Sequence, residues 1–316
     1  MGKRKLSRET LVPTQLCKIQ ERLEKTNAEP YMAVLNPAHD RPGQRHFTMN
    51  YDPIAALQGL VSNNRFGHPV FYKQPNYSSG RLCMAQRIVD LSLLIEDNMP
   101  AHKLFQRPIY TVHMSHESAK GFNLGVPGDA MTFQTNFIAT LDHVGTHVDA
   151  FRHVNPKGQA VDEMPLDLFM GKAVCFDLRH IRDLDDITQA DMVAAETKTG
   201  VKVDGHIVLL CTGFHQRNYP AIDSVWKNPQ LTVEATHWLH SRGSRMHGVE
   251  GPSTDRPTDN IFAQHRLCRD LGISHWEWLV NLEALIGKRE FQFFGVPLKF
   301  KGGSGSPVRA FAIVNE

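Results

Sequence analysis

Hydrophobic and polar positions follow different patterns along the chain, and each pattern predicts an element. Residues 206–213 (HIVLLCTG) form a continuous apolar run ended by glycine, which indicates a strand buried on both faces. Residues 187–196 and 232–243 are predicted helices that Thr188 and Thr232 cap at their N-termini. Further strands are predicted at 89–92, 131–141, 173–178, 291–300 and 308–314, and a further helix at 258–272. Strands and helices therefore alternate, which predicts an α/β architecture around a mixed sheet.

The first part of the chain has a different composition. Residues 1–30 predict one short polar helix that ends at Pro30, and residues 31–80 are rich in Pro, Asn, Gly and Tyr, which favours irregular structure. We therefore predict an N-terminal arm over 1–87 and one catalytic domain over 88–316. Two interpretations of the arm stay open: a loosely packed extension, or a cover for a neighbouring subunit or for the mouth of a site.

Composition excludes several classes of function. The 316 residues are 41% hydrophobic and carry a formal net charge of +2, which is typical of a globular protein and gives no basic patch for nucleic acid or an anionic membrane. The five cysteines are scattered and form no CxxC pair, so we expect a reducing compartment rather than a disulfide framework. No signal-peptide pattern and no long apolar run is present, and we expect a cytoplasmic protein.

The segment Leu141–His153 (LDHVGTHVDAFRH) concentrates side chains that bind metals. If it is one extended strand, His143, His147, Asp149 and His153 share one parity and point the same way. A helix would turn Asp149 off the face of the first two histidines, and the β-branched neighbours favour the strand. Three imidazoles and one carboxylate on one face suit Zn²⁺, Mn²⁺ or Fe²⁺.

A short strand cannot enclose a metal alone, so we expect ligands from elsewhere in the chain. His265 in the predicted third helix and Glu277 between Trp276 and Trp278 are the candidates. A free carboxylate between two indoles is costly to bury, which favours a ligand role for Glu277. The alternative for Glu277 is an exposed position on an amphipathic segment.

The run HVGTHVDAFRH resembles the HxGTHxDxxxH signature of the metal-dependent cyclase-like hydrolase family, which includes kynurenine formamidases, isatin hydrolases and some lactone-opening enzymes. Other family segments are matched in the family's order over residues 88–316: VDLS, VLLCTG, HGVEGPSTD and SGSPVRAFAI. His265 and Glu277 also have the family's spacing of twelve residues.

The resemblance implies a division of roles among these residues. His143, His147 and Asp149 would bind one metal ion, Zn or Mn with Fe also compatible. Asp149 would bridge to a second ion, or share the site, with His265 and Glu277. His153 would transfer protons as the catalytic residue. The resemblance also implies a swivelling β/β/α domain with a mixed, barrel-like sheet, assembled as a homodimer or homotetramer.

We therefore expect a metal-dependent hydrolase that opens a small cyclic amide or lactone, or cleaves an N-formyl aryl amide, by a metal-bound hydroxide with His153 as proton shuttle. A lyase or dehydratase on the same metal site, or a non-catalytic metal-stabilised binding module, are the alternatives. No GxSxG elbow is present, and GGSGS at 302–306 lacks the setting of a serine nucleophile or a phosphate cradle.

Two positions depart from the family pattern and leave the substrate open. Phe151 stands where many members have Pro, and Glu250 where many have Asp. A bulky Phe151 and a long arm would reshape the pocket. Phenylalanines, if they line that pocket, would suit a flat or aromatic substrate. The candidates for such lining are Phe105, Phe133, Phe137 and Phe151.

Overall fold

The computed structural model describes residues 86–101, 105–221, 226–258 and 260–315. The helix predicted for residues 1–30 and the irregular segment at 31–80 lie outside these ranges, so the predicted arm stays a prediction. Within the described ranges, the helices are too short and too polar to cross a lipid bilayer.

The described residues form fifteen β-strands and five α-helices. The strands are β1 (Gln86–Asp90), β2 (Ile109–Met114), β3 (Leu124–Val126), β4 (Asp129–Met131), β5 (Thr135–Ala139), β6 (His147–Asp149), β7 (Met170–Asp177), β8 (Asp186–Ile187), β9 (Ile207–Cys211), β10 (Gln230–Leu231), β11 (Met246–Val249), β12 (Ser274–Glu277), β13 (Phe291–Phe294), β14 (Gly305–Pro307) and β15 (Phe311–Asn315). The helices are α1 (His116–Ala119), α2 (Gln189–Thr199), α3 (Phe214–Asn218), α4 (Val233–Ser241) and α5 (Ala263–Leu271).

Nine of these strands form one sheet, in the order β1-β15-β13-β7-β9-β11-β12-β6-β14. The four central strands β7, β9, β11 and β12 are parallel. The flanking strands are antiparallel to their neighbours. The sheet is therefore mixed, and it curls into a half-barrel. This confirms the predicted α/β fold with a mixed, barrel-like sheet.

The central strand β9 shows why its sequence is apolar throughout. All five of its residues are buried. Leu209 faces a core that includes Trp276 and Phe293. Leu210 faces the opposite core, where α2 and α4 cover the sheet with residues such as Leu239. Because successive side chains point to opposite faces, a strand covered on both sides needs an unbroken apolar run.

The helix α2 begins where the sequence predicts. Thr188 is its N-cap, and its side chain accepts the backbone N–H of Asp191 at 3.3 Å. The carboxylate of Asp191 accepts the backbone N–H of Thr188 at 2.8 Å in return. These two hydrogen bonds form a capping box, which satisfies N–H groups that have no partner inside the helix.

Two predicted elements that carry site residues differ from the structure, and the strands predicted at 131–141 and 291–300 are shorter than predicted. The segment Leu141–His153 is not one strand, because β6 covers only His147–Asp149 and the segment ends in a 3-10 helix at Phe151–His153. The third predicted helix, 258–272, begins only at Ala263, so His265 lies in its first turn rather than in its middle.

Candidate metal centre

A turn before β6 positions the first ligand-type side chains. Gly145 has a φ of 56°, a left-handed conformation that favours glycine, and its carbonyl accepts a hydrogen bond from Nδ1 of His147 at 2.8 Å. The buried hydroxyl of Thr146 accepts the backbone N–H of Leu93 at 2.7 Å and donates to the carbonyl of Trp278. Hydrogen bonds of the Gly-Thr-His run therefore connect it to the segments at Leu93 and Trp278. The bond to the Gly145 carbonyl leaves Nε2 of His147 pointing away from the backbone.

Strand pairing brings the two halves of the site together. In the antiparallel pair of β6 and β12, His147 lies directly opposite Glu277. The same register places His275 opposite Asp149. All four side chains are buried. Residues far apart in the sequence therefore meet because two short strands are neighbours in the sheet.

One oxygen of each carboxylate faces the first two histidines. Oδ1 of Asp149 lies 2.8 Å from Nδ1 of His143 and 3.4 Å from Nε2 of His147. Oε2 of Glu277 lies 3.4 Å from the same His147 nitrogen. Nε2 of His147 therefore lies close to both carboxylates, and His143 contacts the same oxygen of Asp149.

The other carboxylate oxygens face a second group of imidazoles. Oδ2 of Asp149 lies 3.4 Å from Nε2 of His265, 3.5 Å from Nε2 of His275 and 3.8 Å from Nε2 of His153. Oε1 of Glu277 lies 3.1 Å from Nε2 of His275. Asp149 is therefore the centre of the whole cluster.

Hydrogen bonds on the far side of two rings fix their orientation. Ser304 Oγ donates to Asp142 at 2.7 Å and accepts from Nε2 of His143 at 3.0 Å. Nδ1 of His265 donates to the carboxylate of Asp255, which also accepts the backbone N–H of His265 at 3.1 Å. Such outer partners set the tautomer and direct the remaining nitrogen towards a metal.

Neighbouring groups and burial shift the pKa values of three residues in the cluster. Burial opposes ionisation of Asp149, but the imidazole of His143, whose Nδ1 lies 2.8 Å from Oδ1, and further imidazole contacts hold the pKa of Asp149 well below its ordinary value. Burial disfavours the charged form of His265, yet its hydrogen bonds to Asp149 and Asp255 raise its pKa to about 10. Burial lowers the pKa of His153 to about 4, so this imidazole is neutral at physiological pH and can accept a proton.

Among the described residues, two buried polar atoms at the centre of the cluster lack hydrogen-bond partners, which indicates whether a cation fits there. Nε2 of His147 and Oδ1 of Asp149 are among the buried side-chain atoms of the described residues that have no hydrogen-bond partner. A buried polar atom without a partner is costly, and a divalent cation would satisfy both. Imidazole nitrogen and carboxylate oxygen are also ordinary ligands of Zn²⁺. The residues fit a bound divalent metal.

A cavity of about 480 Å³ opens onto this cluster. All six residues predicted for the site line it: His143, His147, Asp149, His153, His265 and Glu277. Its wall also includes the aromatic residues Phe105, Trp226, Phe262 and Trp278.

The aromatic prediction holds for one of its four phenylalanines. Phe105 lines the cavity, and Phe133, Phe137 and Phe151 do not belong to its described wall. Phe151 packs against the hydrophobic core instead, so its bulk does not shape this pocket. The alternative of an exposed Glu277 is wrong, because only 6% of that residue is exposed.

The sequence-based set omits two residues of the cluster, His275 and Asp255. His275 lies two positions before Glu277 on the same strand, and residues i and i+2 of a strand share a face. The alternation of side chains along a strand therefore predicts that His275 lies on the same face as Glu277. Asp255 closes the matched segment HGVEGPSTD, but its contact with His265 depends on how the preceding loop meets the first turn of α5. The metal and catalytic roles of the six predicted residues stay predictions.

Comparison with known proteins fits this arrangement. The model of the Cyclase family matches residues 89–256, more than half of the chain. The chain belongs to the cyclase family. A kynurenine formamidase from Salinibacter ruber is 31% identical over 179 residues, which cover 53% of this chain and 74% of that relative. The family resemblance seen in the sequence is confirmed.

Solved structures of similar proteins support the fold. Isatin hydrolase A from Labrenzia aggregata is 25% identical and superposes with a TM-score of 0.60, covering 73% of this chain and 94% of the other. Isatin hydrolase A from Ralstonia solanacearum, at 24% identity and a TM-score of 0.61, covers 85% of this chain and 100% of the other and shows the shared fold alone.

Proposed function

We propose that this member of the cyclase family is a metal-dependent amide hydrolase that cleaves an N-formyl aryl amide or opens an aryl lactam. One observation carries the proposal: all six predicted site residues line a single cavity, with Asp149 at their centre. The relatives named kynurenine formamidase and isatin hydrolase support the bond type. Cytoplasmic location and assembly as a dimer or tetramer stay predictions.

Different residues of the chain would bind the metal and transfer the proton during hydrolysis. His143, His147 and Asp149 would hold a metal next to the cavity, with one position left open. A bound divalent cation polarises a carbonyl and lowers the pKa of a neighbouring water molecule. His153 is neutral and lies 3.8 Å from Asp149, so it is placed to accept the proton of the attacking water.

The proton then completes the reaction. The attacking water forms a new C–O bond, the amide C–N bond breaks, and His153 delivers the proton to the departing nitrogen. Burial lowers the pKa of His153, which favours the neutral form that can accept a proton. A positioned general base contributes about 10²–10⁴-fold to rate.

The cavity wall supports an aromatic substrate. Phe105, Trp226, Phe262 and Trp278 give flat apolar surface around the polar cluster. Aromatic side chains pack best against rings, in offset-stacked or edge-to-face contact. An aryl amide would place its ring against this wall and its carbonyl at the cluster.

Replacement of His153 tests the mechanism. His153→Ala is expected to reduce turnover of an N-formyl arylamine or of isatin by at least about 10²-fold, with metal content near that of the unaltered chain. Asp149→Ala, in contrast, is expected to lose the metal. His237→Ala, an exposed histidine of α4, is the matched control and should change neither quantity. Loss of metal in His153→Ala would make it a ligand instead of a proton-transfer residue.

Isotopically labelled water separates hydrolysis from elimination. Hydrolysis of a formyl amide or a lactam places one solvent oxygen in the carboxylate of the product, and mass spectrometry detects it. A lyase acting at the same site leaves the product unlabelled, and that result would contradict the proposal.

A further inference from the structure

His275 is a fourth ligand-type side chain beside Asp149, His265 and Glu277. It is fully buried on β12, and it does not belong to the cavity wall that the other histidines form. Its Nε2 lies 3.1 Å from Oε1 of Glu277 and 3.5 Å from Oδ2 of Asp149. A buried imidazole between two carboxylates has the surroundings of a metal ligand.

Distances among the surrounding atoms fit one metal position. Asp149, His265, His275 and Glu277 each offer one ligand atom, and these atoms all lie within 4.8 Å of one another. Tetrahedral bonds of about 2.0–2.2 Å place neighbouring ligand atoms roughly 3.3–3.6 Å apart. The separations of 3.1, 3.4 and 3.5 Å are close to that spacing.

Far-side contacts orient both imidazoles of this group. Nδ1 of His265 is bound to Asp255, and Nδ1 of His275 lies 3.5 Å from Sγ of the buried Cys268. Each ring therefore presents Nε2 to the carboxylates. This is the outer-shell support that metal-ligating histidines require.

The two carboxylates separate this position from the one at His147. Asp149 turns Oδ1 to His147 and Oδ2 to His265, and Glu277 turns Oε2 to His147 and Oε1 to His275. Each carboxylate thus has one oxygen for each position.

We propose that His275 is a metal ligand that completes a second position with four protein ligands: Asp149, His265, His275 and Glu277. The inference rests on the proposed metal-dependent function. Four protein ligands are typical of a closed, structural site, whereas catalytic sites keep an open place. The ion at the His275 position would then be held tightly, and the position at His147 would serve the reaction.

Zinc binding to the full-length chain tests this assignment. The metal-stripped chain is titrated with Zn²⁺ in competition with a chromophoric chelator. The unaltered chain should show two classes of zinc sites that differ in affinity. His275→Leu should lose the tighter class, with affinity weakened by more than the roughly 10–100-fold that supporting residues cost.

His247→Leu is the matched control. His247 is also fully buried, lies on the neighbouring strand β11, and stacks on His275 with ring centres 5.4 Å apart. Its removal should leave both classes of zinc sites intact. Equal zinc binding by His275→Leu and the unaltered chain would overturn the inference and leave the proposed hydrolysis standing. Failure of the unaltered chain to bind zinc or any other divalent metal would overturn both.

A measurement on the unaltered chain covers the case in which His275→Leu does not fold. Histidine side-chain ¹⁵N spectra are recorded with and without Zn²⁺. Zinc should shift the Nε2 resonance of His275 and leave both nitrogens of His247 unshifted. An unshifted His275 in the zinc-loaded chain would overturn the inference.

Discussion

Replacement of Asp255 tests whether its hydrogen bond to Nδ1 of His265 leaves Nε2 free to bind a metal. The carboxylate is 3% exposed and accepts three hydrogen bonds: Oδ1 from the backbone of Gln264 at 2.7 Å, and Oδ2 from the backbone and the ring Nδ1 of His265. Asn in its place keeps one acceptor and gains an N–H group. If the oxygen faces Gln264, the new N–H group faces His265 and favours the tautomer that protonates Nε2. The nitrogen that should bind the metal is then blocked.

The expected loss follows from this change of tautomer. Outer partners of metal-ligating histidines contribute about 10–100-fold to affinity, or roughly 1.4–2.8 kcal/mol. Asp255→Asn should weaken zinc binding by that amount in chelator competition. Asp191→Asn is the matched control, because Asp191 also bonds a helix N-terminus and a histidine, His180 at 3.3 Å, away from the site. Equal zinc affinity in Asp255→Asn and Asp191→Asn would refute the reasoning.

Two further predictions concern packing and pH. A Cβ atom at Gly305 would lie 2.8 Å from Cε1 of His143 and 2.9 Å from the carbonyl of Val148, so Gly305→Ala should displace the imidazole and lower both metal content and turnover. Gly121→Ala, where a Cβ would meet nothing within 4 Å, is its control, and equal losses in the two variants would contradict the packing argument. Burial raises the pKa of Glu250 above 4.5 although Thr212 donates hydrogen bonds to it, so the folded chain holds this proton more tightly than the unfolded chain. The free energy of unfolding of the unaltered chain should therefore fall relative to that of Glu250→Gln as pH rises above about 4.5. Urea denaturation of both chains at several pH values measures this difference. A difference that does not change with pH would contradict the argument.

The sequence was most informative where one residue type has one structural use. The unbroken apolar run of β9 and the threonine cap of α2 depend on local rules, and both elements lie where the sequence predicts them. Elements that depend on distant contacts were less predictable. The backbone of His143–His153 follows its pairing with β12 and β14, so alternation along one strand describes only His147 and Asp149.

The candidate site shows the same contrast between features that depend on local sequence and features that depend on distant contacts. His143 and His153 do meet Asp149, but they do so from a turn and from a 3-10 helix and not from a shared strand face. The position of His275 depends on which strand lies beside β6, and sequence order alone does not give that neighbour. The aromatic wall was also mispredicted, because three of its four members come from later loops and strand ends instead of from the phenylalanines near the motif.

Metal dependence of amide hydrolysis is the central claim, and one titration tests it. The metal-stripped chain is supplied with increasing Zn²⁺ or Mn²⁺, and hydrolysis of an N-formyl arylamine and of isatin is followed together with the amount of bound metal. The account predicts no turnover by the stripped chain and a rate that returns in proportion to the metal bound. Hydrolysis by the stripped chain at the rate of the loaded chain would contradict it.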